Sequence, residues 1–146
     1  MKSINTVKDI LLYAIDEKEK TTFLYKCISK KISTAKTKTI LEQLSEEEIR
    51  HKHNLLSILD KHDFFVRISN LKNIEIPLIG AEPDYNLTEI SVLLKFAINK
   101  EILSKKLYVN LAEYLPNCFM RNTILLIANE EEKHIKNLEL ELKSFN

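Results

Sequence analysis

Residues that break helices are scarce in this chain. One glycine and three prolines occur among 146 residues, whereas leucine, isoleucine, lysine, glutamate and asparagine are common. Because glycine and proline are the residues least compatible with helix interiors, their scarcity favours long helices over a sheet with many turns. A chain of this length can bury one hydrophobic core. We therefore expect an all-α protein with a single domain, residues 1–146.

Cysteines are also few, and long apolar runs are absent. Cys27 and Cys118 form no CxxC pair, which excludes a disulfide framework and favours reduced thiols in a cytoplasmic protein. The first 20 residues lack the apolar segment and the cleavage site of a signal peptide. No stretch has the apolar length of a membrane span. We expect a cytoplasmic protein without a membrane partner.

The chain has no strong excess of charge of either sign. Its net charge is +1, and 29% of its residues are charged. This balance excludes bulk attraction to nucleic acid or to an anionic membrane. A short basic stretch, KKISTAKTK at residues 30–38, lacks the interleaved aromatic residues that stack on RNA bases. We interpret it as a solvent-exposed turn and expect no nucleic-acid partner.

The chain does contain four long stretches in which apolar residues recur at helical spacing. This periodicity predicts four amphipathic helices. TVKD at residues 6–9 and NLTE at residues 86–89 predict capping boxes at the start of helices 1 and 3. Short turns near residues 33–36 and at Pro116 join helix 1 to helix 2 and helix 3 to helix 4. Each of these pairs should therefore form an antiparallel hairpin.

The connection between helices 2 and 3, residues 61–86, is too long for a hairpin turn. A helix of about 26 residues is about 39 Å long. A connection of this size could run back along that length, as in the one-crossover topology of ferritin-like bundles. The sequence therefore predicts a ferritin-like four-helix bundle with one long crossover between helices 2 and 3.

The two halves of the chain repeat each other. AIDEKEKTTFLY at residues 14–25 aligns with AINKEILSKKLY at residues 97–108, an offset of 83 residues. The same offset relates the Glu-x-x-His motif of helix 2 to that of helix 4. A register kept over two helices and a turn indicates a duplicated helical hairpin. Within the aligned segments, Lys18 of the first copy stands opposite Glu101 of the second.

Charged residues interrupt the apolar stripes where the bundle core should be. Glu-x-x-His motifs fill the gaps in helices 2 and 4, Glu101 fills the gap in helix 3, and Lys18 fills the gap in helix 1. A buried carboxylate needs a cation, hydrogen bonds or a proton. Two Glu-x-x-His motifs together with further glutamates form the ligand set of di-iron carboxylate bundles. The predicted metal ligands are Glu48, His51, Glu101, Glu131 and His134.

Carboxylate and imidazole ligands together suit iron or manganese, with zinc as a competent substitute. Neighbouring glutamates point off the stripes and are expected either in solvent or hydrogen-bonded to the ligands: Glu46, Glu47, Glu130 and Glu132. The remaining histidines, His53 and His62, are expected at the surface. Tyr25 and Tyr108 lie two turns from the metal positions, where each could pack in the core or donate a hydrogen bond to a ligand carboxylate.

The chain resembles the rubrerythrin family of the ferritin-like superfamily over nearly its whole length, through AINKEILSKKLY with NEEEKH and AIDEKEKTTFLY with SEEEIRH. In that family, Ala, three residues, Glu, six residues and Tyr are followed by Glu-x-x-His on the next helix, twice. By this resemblance Glu101, Glu131 and His134 form a complete half-site. Glu48 and His51 form most of the other half-site.

The resemblance implies a non-haem iron protein that handles peroxide or dioxygen or oxidises Fe(II), and a homodimer. The rubredoxin-like module of four cysteines is absent from this sequence. The resemblance therefore also implies an external electron donor. No catalytic residue is assigned by the sequence.

Two positions inside the resemblance depart from the family pattern. Lys18 replaces the glutamate expected in helix 1, and Ser104 stands where rubrerythrins carry an additional carboxylate in helix 3. A complete di-iron site would need Lys18 to bind without its proton. Alternatively, Glu17 or Glu19 could turn inward through a π-bulge.

Charge balance leaves three states of the site open. Four glutamates with two neutral histidines would balance two divalent ions. With a protonated Lys18 in place of one glutamate, the net charge of −2 balances one divalent ion. With both histidines protonated and no metal, the set is neutral, and the core would be a salt-bridge network. Such a protein would act in binding or structure rather than as an enzyme, and the choice between the two functions stays open at this point.

Overall fold

The computed structural model describes residues 4–61, 76, 80–115 and 118–145. These residues form four helices: α1 (Val7–Lys31), α2 (Ala35–Lys61), α3 (Ile90–Ala112) and α4 (Cys118–Lys143). The all-α, four-helix prediction is confirmed. Within the described ranges, no helix combines the length and the apolarity needed to cross a membrane.

One of the two predicted capping boxes is present. The Thr6 hydroxyl accepts a hydrogen bond from the Asp9 backbone N–H at 3.2 Å, and the Asp9 carboxylate accepts one from the Thr6 N–H at 3.0 Å. The capping box predicted from NLTE is wrong. The Thr88 hydroxyl donates instead to the backbone carbonyl of Asp84, and Glu89 is an N-cap without a side-chain hydrogen bond. Because the helix begins at Ile90, Asn86 is not its N-cap and Glu89 is not at the third helical position, as a capping box would require.

The buried apolar side chains form two clusters at opposite ends of the bundle. The first cluster joins the start of α1 and the end of α2 to the end of α3 and the start of α4. The second joins the end of α1 and the start of α2 to the start of α3 and the end of α4. Within each hairpin the two helices are therefore antiparallel, and α2 runs parallel to α3.

The parallel course of α2 and α3 requires a crossover. The last turns of α2 lie in the first cluster, where Ile58 is fully buried, whereas α3 enters the second cluster at Leu93. Along the connection, Ile76 packs on the first cluster, Glu82 pairs with Lys100 near mid-height, and Tyr85 packs on the second cluster. The parallel course of α2 and α3 confirms the predicted single long crossover.

We predict that Leu138→Ala lowers the free energy of unfolding by about 2–5 kcal/mol, because Leu138 is fully buried in the second cluster and truncation leaves a cavity. Urea denaturation followed by circular dichroism measures this loss. Leu140→Ala is the matched control on the same helix, since Leu140 is 63% exposed. That control should cost less than about 1 kcal/mol. Equal losses in both variants would contradict the assignment of the core.

Candidate metal centre

A layer of charged side chains separates the two apolar clusters at mid-height. Each helix contributes to it, because the apolar stripe of each helix is interrupted at the same level. The side chains in this layer are all 3% exposed or less: Lys18, Glu48, His51, Glu101, Glu131 and His134. The five residues predicted as metal ligands and the lysine are therefore brought together in the core.

Four of the five predicted residues form a group that could hold a metal ion. Glu48, Glu101, Glu131 and His134 each offer one ligand atom, and these atoms all lie within 4.8 Å of one another. His134 Nδ1 is 3.2 Å from Glu48 Oε1 and 3.6 Å from Glu101 Oε2. Three carboxylates and one imidazole are a ligand set suited to iron or manganese. We call these four residues the metal-capable group.

His51 belongs to the same layer but not to the metal-capable group. Its Nδ1 atom lies 3.6 Å from Glu131 Oε1 and 3.9 Å from Glu48 Oε2. The ring of His51 stacks on the ring of His134, with 5.6 Å between their centroids. His51 therefore faces the same two carboxylates as Lys18 does.

Several polar atoms in the layer are buried without a hydrogen-bond partner among the described residues. They are His51 Nδ1, Glu101 Oε2 and Glu131 Oε2. Glu48 Oε2 makes no hydrogen bond either, but it forms an ion pair with the Lys18 ammonium. A buried polar atom left unsatisfied costs about 1–3 kcal/mol, and more when it is charged. A cation bound among these atoms would remove that cost. The residues present therefore fit a bound metal ion.

Lys18 forms ion pairs with two members of the metal-capable group. Its ammonium donates a hydrogen bond to Glu131 Oε1 and lies 2.6 Å from Glu48 Oε2. Burial disfavours the charged ammonium, but the charges of Glu131 and Glu48 outweigh burial and hold the pKa of Lys18 well above its usual value. Burial likewise opposes the Glu48 carboxylate, yet Lys18 and His134 hold the pKa of Glu48 well below its usual value. The pair is charged.

Each histidine of the layer is held by a glutamate from the other half of the chain. His51 Nε2 lies 2.7 Å from Glu130 Oε2, and His134 Nε2 lies 2.5 Å from Glu47 Oε2. Such contacts fix the ring orientation and leave Nδ1 pointing inward. Glu47 and Glu130 were expected either in solvent or hydrogen-bonded to the ligands, and both are hydrogen-bonded. The sequence signal was the shared pattern Glu-Glu-x-x-His in both halves.

The two tyrosines predicted near the site each contact the charged residue of the opposite copy. The Tyr25 hydroxyl donates to Glu101 Oε1 at 2.5 Å. The Lys18 ammonium lies 5.4 Å from the centroid of the Tyr108 ring. Burial and the nearby carboxylates hold the pKa of Tyr25 well above its usual value, so it remains a neutral donor. Tyr25 thus donates a hydrogen bond to the carboxylate of Glu101. Its counterpart Tyr108 instead makes a cation–π contact with the ammonium of Lys18.

A second buried lysine was not singled out by the sequence. Lys100 is 2% exposed, and its ammonium lies 3.4 Å from Glu17 Oε2 and 3.2 Å from Glu82 Oε1. In the repeat, Glu17 aligns with Lys100 just as Lys18 aligns with Glu101. The order Glu-Lys in the first copy is thus reversed to Lys-Glu in the second, and this reversal was the missed signal.

The remaining titratable residues lie away from the metal-capable group. Glu17 pairs with Lys100, and Glu19 pairs with Lys52 at 2.6 Å, so neither reaches the site. His53 is exposed, as predicted. His62 lies outside the described residues.

We predict that Tyr25→Phe lowers the free energy of unfolding of the metal-free protein by about 1.5–3 kcal/mol, because Glu101 loses its hydroxyl donor. Chemical denaturation in the presence of a chelator measures this loss. Tyr108→Phe is the matched control from the other copy. In the described part of the chain its hydroxyl donates to no carboxylate, and the polar groups near it are Ser104 and Lys18. The change should therefore be smaller, about 0.5 kcal/mol or less. A larger loss for Tyr108→Phe than for Tyr25→Phe would refute this difference.

No protein-family model and no curated protein sequence matches the chain. Among solved structures, the chain is similar to a Thermotoga maritima protein described as a candidate ferritin-like diiron-carboxylate protein. The two are 23% identical, 97% of each chain is covered, and the TM-score is 0.83. A hypothetical protein from Pyrococcus furiosus is 22% identical, with 94% of this chain and 89% of that chain covered and a TM-score of 0.77. The chain has the ferritin-like fold.

Proposed function

We propose that this chain binds a redox-active divalent metal ion, iron in the first place, and uses it to handle peroxide or dioxygen or to oxidise Fe(II). The observation that carries the proposal is the metal-capable group: Glu48, Glu101, Glu131 and His134 converge, fully buried, with unsatisfied carboxylate oxygens. The description of the Thermotoga maritima protein as diiron-carboxylate supports the same metal chemistry. The rubrerythrin resemblance of the sequence supports the substrates.

We further propose that the site holds one ion rather than two. Three buried carboxylates and the Lys18 ammonium carry a net charge of −2, which a single divalent ion neutralises. Lys18 contacts the two carboxylates that also face His51, namely Glu48 and Glu131. The ammonium therefore takes the position in which a second cation would be shared between these carboxylates. Manganese or zinc could replace iron in the remaining position.

The protein residues prepare the site for an ion in three ways. Tyr25 holds Glu101 in place, and Glu47 orients the His134 ring. The two apolar clusters exclude bulk water from both ends of the layer. A bound iron ion would supply one-electron redox chemistry. Reduction of one peroxide to two waters consumes two electrons and two protons, so an external electron donor is part of the proposal. A homodimer and a cytoplasmic location complete it.

A metal-free bundle that acts as a binding or structural protein is a second candidate. The observation that favours it is the pairing of Lys18 with two buried carboxylates, which already satisfies part of their charge. Protonation of His51 and His134 would neutralise the rest. In the metal-free protein, burial opposes protonation of His51, but Glu131 and Glu48 outweigh burial and raise its pKa to about 9. The pKa of His134 is raised as well, by Glu48, against the effect of burial.

Metal stoichiometry distinguishes these two functions. We expect one Fe(II) per chain after anaerobic loading and removal of loose metal, measured by inductively coupled plasma mass spectrometry. Lys18→Glu should raise the count to two, because it supplies the missing carboxylate and removes the competing ammonium. Lys20→Glu makes the same charge change on the same helix at a side chain that is 46% exposed. This control should leave the count at one.

Other counts would decide against the proposal. Two ions in the unchanged protein would mean that Lys18 does not occupy the second position. If iron, manganese and zinc all fail to bind, the metal-dependent function is excluded and the salt-bridge core remains.

The stability of the metal-free protein should depend on pH. Because the folded-state pKa of His51 is about 9 and the ordinary value is 6.5, the folded protein binds this proton more tightly than the unfolded chain does. Its stabilising contribution is therefore complete below about pH 6.5 and is lost as pH rises to about 9. Urea denaturation of chelator-treated protein across this range measures the loss. His51→Gln should reduce the loss, and the part due to His134 should remain because its pKa is raised as well. His53→Gln, at an exposed position, should leave the profile unchanged.

A further inference from the structure

The metal-capable group is buried, so an ion from solvent has to pass between two helices to reach it. The apolar clusters close both ends of the layer, and apolar surroundings are costly for an ion that has lost its hydration. Four sides of the bundle are left, each between two neighbouring helices: α1–α2, α3–α4, α1–α3 and α2–α4. The charged residues at the level of the layer distinguish these four sides.

The two hairpin sides are each spanned by an ion pair next to the layer. On the α1–α2 side, the Lys52 ammonium lies 2.6 Å from Glu19 Oε1. On the α3–α4 side, the Lys105 ammonium lies 2.7 Å from Glu132 Oε2. Because each of these glutamates is already paired with an ammonium, it offers little attraction to a divalent ion.

The α1–α3 side carries two buried ammonium groups. Lys100 is 2% exposed and lies between Glu17 and Glu82, which are 3.4 Å and 3.2 Å from its ammonium. The Lys18 ammonium lies further inside, against Glu48. A divalent ion on this route would meet two positive charges in succession, which makes the route electrostatically unfavourable.

The α2–α4 side carries two glutamates that are equivalent in the repeat, and only one of them is paired with a basic side chain. Glu130 is 17% exposed and lies 2.8 Å from the Arg50 guanidinium. Glu47 is 44% exposed, and within residues 4–61, 76, 80–115 and 118–145 no lysine or arginine forms an ion pair with it. Its Oε2 atom lies 2.5 Å from His134 Nε2, and His134 Nδ1 lies 3.2 Å from Glu48 Oε1. Glu47 therefore connects solvent to the metal-capable group.

The difference between the two glutamates follows the difference between the two histidines. Glu130, which Arg50 neutralises, contacts His51 outside the metal-capable group. Glu47 contacts His134, which is a member of that group. Lys133 of the second copy aligns with Arg50 of the first at the offset of 83 residues. A lysine lacks the planar fork with which an arginine holds a carboxylate.

We propose that Glu47 is the entry carboxylate for the divalent ion: it takes the ion from solvent at the α2–α4 side and transfers it past the His134 ring to the metal-capable group. This inference rests on the proposed function, because it concerns the route of the same ion. An entry carboxylate speeds both association and dissociation of the ion, since both follow one path, and it leaves the affinity unchanged. A residue that only orients His134 would change the affinity through dissociation.

The first experiment measures the rates at which Co(II) binds to and leaves the metal-free full-length protein. Stopped-flow absorption follows binding, and excess EDTA follows release. Glu47→Gln removes the charge but keeps an oxygen acceptor for His134 Nε2. We expect both rate constants to fall by about tenfold, because the attraction of the ion at the entrance is lost. Glu46→Gln makes the same charge change at the adjacent, exposed position and should leave both rate constants unchanged.

The second experiment closes the entrance without changing Glu47. Lys133→Arg supplies the guanidinium that Arg50 supplies to the equivalent glutamate, and it leaves the net charge unchanged. We expect it to lower the association rate constant of Co(II) several-fold, with the same number of ions bound at equilibrium. Lys136→Arg, at an exposed position on the same helix, should leave the rate constant unchanged.

An unchanged association rate constant in either Glu47→Gln or Lys133→Arg would overturn the route. Faster dissociation with unchanged association in Glu47→Gln would also overturn it, and would leave Glu47 as a residue that orients His134. In both cases the unchanged protein still binds Co(II), so the proposed function stands. Failure of the proposed function is a different result: the unchanged protein would bind no Co(II), which would reject the metal site and the route together.

Discussion

The ion pair between Lys18 and the carboxylates of Glu48 and Glu131 is the interaction on which the interior of this protein depends. Two carboxylates and an ammonium have been taken out of water at the centre of a helical bundle, at a desolvation cost of several kcal/mol per ion. That cost is offset only if the geometry brings the charges into contact. The apolar clusters above and below the layer strengthen this contact, because they exclude bulk water from both ends of the layer.

The duplicated hairpin explains why the charges meet. The histidine of each copy pairs with a glutamate of the other copy: His51 with Glu130, and His134 with Glu47. The symmetry is broken where Glu17 and Lys18 of the first copy align with Lys100 and Glu101 of the second, because the order of the charges is reversed. Lys18 and Glu101 lie in the core layer, whereas Glu17 and Lys100 pair with each other between α1 and α3. A symmetric fold thereby acquires an asymmetric centre, with a carboxylate on one side and an ammonium on the other.

Folds of this kind tolerate wide sequence divergence, and the chemistry depends on the few residues in the core layer. The solved structures that share this fold are only 22% and 23% identical to the chain. A single glutamate-to-lysine difference in such a layer changes its charge by two, which is equivalent to one divalent ion. Under the proposed function, Lys18 rather than the fold would determine how many cations the layer can accept.

The sequence by itself determined the helices, the crossover and the buried layer. Helical periodicity and the length of residues 61–86 were sufficient for the fold, because the placement of apolar residues along a helix dictates which face is buried. The same stripes identified Glu48, His51, Glu101, Glu131 and His134 as core residues, and all five are buried together.

Only the tertiary structure decided how those residues are partnered. His51 lies outside the metal-capable group. Tyr25 contacts the Glu101 carboxylate, whereas Tyr108 contacts the Lys18 ammonium. Lys100 is buried and pairs with Glu82 of the crossover. The third helix begins at Ile90, so that NLTE forms no capping box. These outcomes depend on which side chains from distant parts of the chain are brought within contact distance. Periodicity places a residue on a helix face, but the partner it meets there is set by the packing of the neighbouring helices.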